Sequence, residues 1–84
     1  MGAIRMKTRL SALPIDGQAC VSTLDPACPM RRRLLDLGFT QGAQARCLYQ
    51  SPWGDPRAYW VRGAVVALRN ADAAQIWLGE DEGS

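Results

Sequence analysis

Apolar and polar residues alternate with a period of two over most of this chain, in short runs separated by turn residues. Over 18–24, Ala19, Val21 and Thr23 fall on one face and Cys20, Ser22 and Leu24 on the other, the pattern of a strand with one face toward a core. Over 43–50, Ala45, Cys47 and Tyr49 oppose Gln44, Arg46 and Leu48. Over 57–62, Tyr59 and Val61 share a face, which leaves Trp60 out of phase and exposed. Residues 64–69 (AVVALR) and 75–78 (QIWL) predict two more strands, with Trp77 out of phase with Ile76 and Leu78. One segment changes period. Within 29–37, Met30, Leu34 and Leu37 recur at i, i+4 and i+7, which predicts an amphipathic helix. Pro29 suits its first position and Gly38 a left-handed C-terminal cap, with Phe39 folding back on Leu34.

The punctuation between these runs fixes their order. Asp16-Gly17, Asp25-Pro26, Thr40-Gln41-Gly42 and the breaker-dense Ser51–Pro56 all read as turns, and Gly63 allows a sharp bend or bulge. Ser11 caps a short helical turn that Pro14 stops, so Leu10 and Leu13 dip into the core together; Asn70 caps a second turn over 70–74. The architecture that follows is mainly β. It is a small closed barrel of about five strands, with one short α-helix between the first and second strands and helical turns near residues 11–14 and 70–74. The domain is expected over 10–79, after a flexible basic N-terminus at 1–9 and before an acidic tail at 80–84.

With 84 residues there is one thin core and little room for a deep cleft. The inventory also argues against catalysis. There is no histidine, so no side chain titrates near neutrality by default. The single lysine, Lys7, lies in the N-terminal segment, and Asp16, Asp25, Asp36, Asp55 and Asp72 each sit at a turn or helix end. The chain is expected not to be an enzyme and to need no cofactor. Neither phosphate-cradling glycine motif occurs. The net charge of +2 is too mild for a dedicated nucleic-acid binder, so no nucleic acid is expected as a partner. No apolar stretch is long enough to span a membrane. Three cysteines, Cys20, Cys28 and Cys47, form no C-x-x-C pair; with no leader-like segment they read as reduced thiols of a cytoplasmic chain. Cys47 reads as a small core filler. Cys28, just ahead of the helix, is the one candidate metal contact; no metal site is expected otherwise.

Chemistry is therefore sought on the outside. Arg31, Arg32 and Arg33 open the helix, where the macrodipole mildly disfavours cations, so helix stability does not ask for them. Leu35 lies off the main apolar stripe and offers an anchor for a partner. Trp53 stands at a loop tip. Arg31, Arg32, Leu35 and Trp53 are the candidate partner-binding residues, with an arginine-clad, solvated helix face as the alternative reading. An oligonucleotide-binding barrel using the exposed tryptophans is a further alternative.

Several stretches together resemble one family. Arg32-Arg33-Leu34-Leu35-Asp36-Leu37-Gly38-Phe39-Thr40-Gln41-Gly42 is similar to the RRLLDLGLTPG segment of the FeoA family, and Ser51–Pro56 to its APLGDP. Val61-Arg62-Gly63, Leu68-Arg69-Asn70-Ala71-Asp72-Ala73 and the opening Leu10-Ser11-Ala12-Leu13-Pro14 follow in order. Ala45 and Cys47 stand where the family has bulkier valines, Gln41 where it has proline and Trp53 where it has leucine. The resemblance covers about residues 10–78. It implies an SH3-like barrel and a non-enzymatic accessory role in ferrous iron uptake. The implied partner is the cytosolic part of a FeoB-type, GTP-dependent membrane transporter, so membrane association would be peripheral and through that partner; self-association stays open. The alternative within the same resemblance is a transition-metal-binding regulatory module, related to the SH3-like domain of DtxR-type repressors.

Overall fold

A computed structural model describes residues 4–81, with side chains described from Thr8 to Gly79. Six strands form one antiparallel sheet: β1 (Ile4–Arg9), β2 (Gln18–Leu24), β3 (Gln44–Gln50), β4 (Arg57–Val61), β5 (Ala64–Leu68) and β6 (Ile76–Asp81). Their order across the sheet is β1-β6-β2-β3-β4-β5. A 3-10 turn (Leu10–Ala12) follows β1, helix α1 (Arg31–Leu37) joins β2 to β3, and the short α2 (Asn70–Ala73) joins β5 to β6. The mainly β architecture, the main helix and the two short helical segments agree with the sequence reading, but the first turn begins at Leu10 with Arg9 before it, so Ser11 lies inside the turn instead of capping it.

The differences have physical causes. Five strands become six because residues 4–9, expected as a flexible N-terminus, pair with β6, Arg9 opposite Trp77. Likewise β6 runs on through Asp81, into the expected acidic tail. The expectations for residues 1–3 and 82–84 lie outside the described residues. The helix starts at Arg31, not Pro29: the Cys28 N–H donates to the Asp25 carbonyl (3.0 Å) and the Arg31 N–H to the Cys28 carbonyl (3.1 Å). The chain thus makes two tight turns before it winds. The sheet is also not closed by a ladder, since its order begins with β1 and ends with β5.

Two bulges break the strict alternation. Against β6, Val21 pairs with Leu78 and Thr23 with Trp77, so Ser22 is an extra residue and Val21 and Leu24 both face inward. Against β4, Cys47 pairs with Tyr59 and Tyr49 with Ala58, so Leu48 is extra and Tyr49 turns outward. A bulge shifts phase by one residue, which sends the next side chain to the other face.

The core gathers Leu10 and Leu13 from the first turn, Leu34 and Phe39 from around α1, and Tyr59, Val61, Leu68, Ile76 and Leu78 from the strands. Cys47 and Cys28 are buried among them. Helix α1 ends as its sequence predicts. Gly38 adopts φ 115°, its N–H donates to the Leu35 carbonyl (3.0 Å), and the Phe39 N–H donates to the Leu34 carbonyl (3.0 Å). This is the paired bonding of a Schellman cap, and Leu34 and Phe39 are both fully buried as its apolar contact.

Candidate interaction surfaces

Helix α1 is held by one side only. Leu34 is buried, Met30 and Leu37 pack partly on the core, and Arg31, Arg32 and Arg33 are exposed. Among the described residues none of the three arginines has an ion-pair or side-chain hydrogen-bond partner. The candidates divide over this helix. Arg31 and Leu35, four apart, share one flank. Arg32 faces a groove of about 430 Å³ that it lines with Pro29, Arg33, Asp36 and Leu37. Two guanidinium groups beside one carboxylate leave that groove with an excess of positive charge, suited to an acidic surface.

Trp53 is elsewhere. It is 92% exposed, on a loop tied by backbone and side-chain hydrogen bonds. The Ser51 N–H donates to the Pro56 carbonyl (3.0 Å) and the Gly54 N–H to the Ser51 carbonyl (2.8 Å). The Asp55 carboxylate accepts the Asn70 N–H (2.9 Å), and the Asn70 side-chain amide donates to the Gly54 carbonyl (3.0 Å). Asn70 was expected to cap α2 with its own side chain; instead Asp55 supplies the acceptor from across the fold. The loop precedes β4, whereas the segment after α1 is tied to the turn that follows β4, where Arg62 donates to the Thr40 hydroxyl (2.8 Å). The structure therefore brings Arg31, Arg32 and Leu35 onto one helix and anchors Trp53 at the opposite end of β4.

The sequence reading missed two features. The first is Arg57, buried at 7% exposure. Its guanidinium donates to the Ser11 and Leu13 carbonyls, both at 2.6 Å, and lies 5.9 Å from the Tyr59 ring centre. The Tyr59 hydroxyl donates to the Leu10 carbonyl (3.4 Å). Burial pushes the Tyr59 phenol above its usual 10.0, with Arg57 partly opposing. Together these two side chains fasten the first helical turn to β4. The second is a row on the outer sheet face, Gln18, Arg46, Trp60 and Val65, each directly opposite the next across β2 to β5. Trp60, read as exposed from its phase, is 38% exposed; Tyr49 and Val65 are more exposed still. Only Trp60 carried a signal, because Tyr49 is displaced by a bulge and Val65 lies in an unbroken apolar run.

A metal site through Cys28 has little to build on. The thiol is buried in the core, the chain has no histidine, and no three acidic or cysteine side chains converge among the described residues.

Comparison with known proteins places this arrangement. The FeoA domain model matches residues 8–79. The chain belongs to the FeoA family. A FeoA-like protein from Clostridium acetobutylicum, known from its solution structure, superimposes with a TM-score of 0.83 at 26% identity, over 95% of this chain and 92% of that one. The FeoA of Stenotrophomonas maltophilia, crystallised with zinc and described as a prokaryotic SH3 domain protein, gives a TM-score of 0.76 at 27% identity, over 92% and 100%. The SH3-like architecture implied by the sequence thus holds, with the sheet left open by backbone. Zinc belongs to that relative; in the present FeoA-family chain no three histidine, cysteine or acidic side chains come together to hold a metal among the described residues. A Porphyromonas gingivalis protein, a fusion of Fe(2+) transport protein A with the Fe(2+) transporter FeoB, is 34% identical over 68 residues. The match covers 81% of this chain and only 8% of that protein. Among the described residues no helix is long and apolar enough to cross a membrane.

Proposed function

We propose that this chain is a non-enzymatic accessory module in ferrous iron uptake, docking from the cytosol on a FeoB-type membrane transporter and shifting its conformational equilibrium. The observation that carries this reading is the Porphyromonas gingivalis fusion, in which a segment 34% identical to this chain is part of the same polypeptide as the transporter. Tethering two modules makes their association intramolecular and raises its effective concentration, which profits a pair that works in contact. Three exposed arginines on α1, without ion-pair partners among the described residues, suit an acidic partner surface, and Leu35, half-buried beside Arg31, offers the apolar anchor such contacts need. Trp53 contributes separately; engaging both sites requires a partner surface that spans β4, about 16 Å.

Copurification with an intact FeoB-type transporter, together with ferrous iron uptake by cells lacking the chain, tests the reading. Wild type should copurify and restore uptake. The double variant Arg32→Glu, Leu35→Asp should bind about 100-fold more weakly, two anchors at roughly tenfold each. Normal uptake without the chain, and no copurification of wild type, would remove the transporter from the account.

A further inference from the structure

Among the described residues strand β5 ends the sheet with no neighbour on its outer side, and its sequence Ala64-Val65-Val66-Ala67-Leu68 holds no charge and no proline. It pairs with β4 without a register shift. The turn before it has only two residues, Arg62 (φ 49°) and Gly63 (φ 82°), the positive pair of a type I′ hairpin. In a two-residue hairpin the flanking pair, Val61 with Ala64, exchanges both backbone hydrogen bonds. Alternation then turns the N–H and C=O of Ala64, Val66 and Leu68 toward β4, and those of Val65 and Ala67 outward. Val65 is 60% exposed and Ala67 is also exposed. Neither residue takes part in a backbone bond outside the ladder among the described residues.

Charge decides what fits there. Arg62 stands at one end of β5 and Arg69 at the other, both exposed; Arg62 donates to the neutral Thr40 hydroxyl (2.8 Å), and neither arginine has an ion-pair partner among the described residues. A second copy, pairing antiparallel about Val66 so that Val65 meets Ala67, would bring the Arg69 of one chain beside the Arg62 of the other at both ends. That is a like-charge contact. An apolar extended segment with a carboxylate at each end meets the same strand with both charges matched.

We propose that the free edge of β5 accepts an extended apolar segment of a partner protein, bounded by acidic residues, as a seventh strand. Backbone bonds to Val65 and Ala67 give the affinity and Arg62 and Arg69 set the ends. The proposal rests on the reading that this chain acts by docking on a protein, and it adds a surface distinct from α1.

The test is an NMR titration of the ¹⁵N-labelled chain with the synthetic peptide acetyl-Glu-Val-Thr-Val-Thr-Val-Glu-amide. The Val65 and Ala67 amides should shift and become slower to exchange, while β1 amides stay unchanged. A peptide with lysine at both ends should bind about tenfold more weakly. Ala67→Pro removes an outward N–H without cutting a β4–β5 bond and should weaken binding about tenfold; Val65→Lys is the second variant should the proline disturb the fold. Peptide shifts that avoid β5, or equal binding by a folded variant, overturn the proposal. Concentration-dependent shifts at Val65 and Ala67 without peptide would make a second copy the occupant and overturn it too. Transporter capture by wild type and Ala67→Pro alike would sink the β5 edge and leave docking standing. Protection at β5 by the peptide, with no transporter capture, would keep the edge and remove the transporter.

Discussion

The two edge strands of the sheet, β1 and β5, each lack a ladder partner on one side, and they meet that situation in opposite ways. Strand β1 has a register shift between Met6 and Thr8 and basic residues at 5, 7 and 9. Bulges and cations both discourage a foreign strand from pairing. It is also fastened beyond its ladder. Arg9 donates to the Ala74 carbonyl (3.2 Å) and lies 4.4 Å from the Trp77 ring centre, and the turn after it is held by Arg57 and Tyr59. Strand β5 itself has neither device: over Ala64–Leu68 it carries no register shift and no cation, and its side fastening lies only at its two ends, through Arg62 and Asn70. An edge left apolar, flat and uncharged beside a guarded one is a surface kept available, and the difference teaches where this small barrel can be engaged without being opened.

Breaking the fastening of β1 should have the largest effect. Arg57→Met keeps an apolar stem but leaves the Ser11 and Leu13 carbonyls without their donor, a loss of about 3 kcal/mol for two charge-assisted bonds, one buried and one partly buried. Chemical denaturation reads the loss. Hydrogen exchange gives the sharper result: amides of β1 and of Leu13 should speed up more than those of β5. Equal acceleration at both edges would show that Arg57 supports the whole core rather than the β1 side.

Asp55→Ala acts near the other edge. It removes the acceptor for the Asn70 N–H (2.9 Å) and loosens the Trp53 loop from α2. The expected cost is about 1 kcal/mol, that of a lost helix cap, with faster exchange at Asn70 and Gly54 and no change in β1. Tyr59→Phe is the gentler counterpart of Arg57→Met. Its hydrogen bond to Leu10 is long at 3.4 Å, so at neutral pH the loss should stay under about 1 kcal/mol. Its pH dependence is more telling. Burial raises the phenol above 10.0, so the neutral form is favoured in the fold. That contribution is complete below pH 10 and is lost as pH rises through the raised value. Wild-type stability should therefore fall in alkali, and Tyr59→Phe should flatten that fall.

These residues also show how far the sequence could be read. Helix α1 and its cap were legible because Leu34, Gly38 and Phe39 sit at fixed local spacings that a Schellman motif requires. Trp60 was legible from its phase, and Trp53 from the breakers around it. The bulges at Ser22 and Leu48 left no trace, since neither residue is a glycine, and with them went the outward turn of Tyr49. Arg57 looks like an ordinary first residue of a strand; the carbonyls it binds lie 44 and 46 positions away, and only the folded chain brings them together. For the same reason the candidate residues read as one surface, while the fold separates Trp53 from α1 by the length of β4. Strand β5 was legible as a strand but not as an edge, because five apolar residues say nothing about which neighbour is absent.

Val65→Lys should change stability least of all, by no more than about 0.5 kcal/mol. Val65 points away from the core and is opposed by Trp60, whose exposed ring can still cover the lysine stem. Yet the substitution gives β5 the kind of guard that β1 already has, a cation on an edge. Its effect should therefore appear only where the edge is used: slower self-aggregation on heating and weaker capture of extended peptides, with an unchanged denaturation midpoint. A Val65→Lys variant that unfolds several degrees earlier would mean that Val65 contributes packing across the outer row. The contrast between a fastened edge and an available one would then have to be redrawn as a contrast of two structural edges.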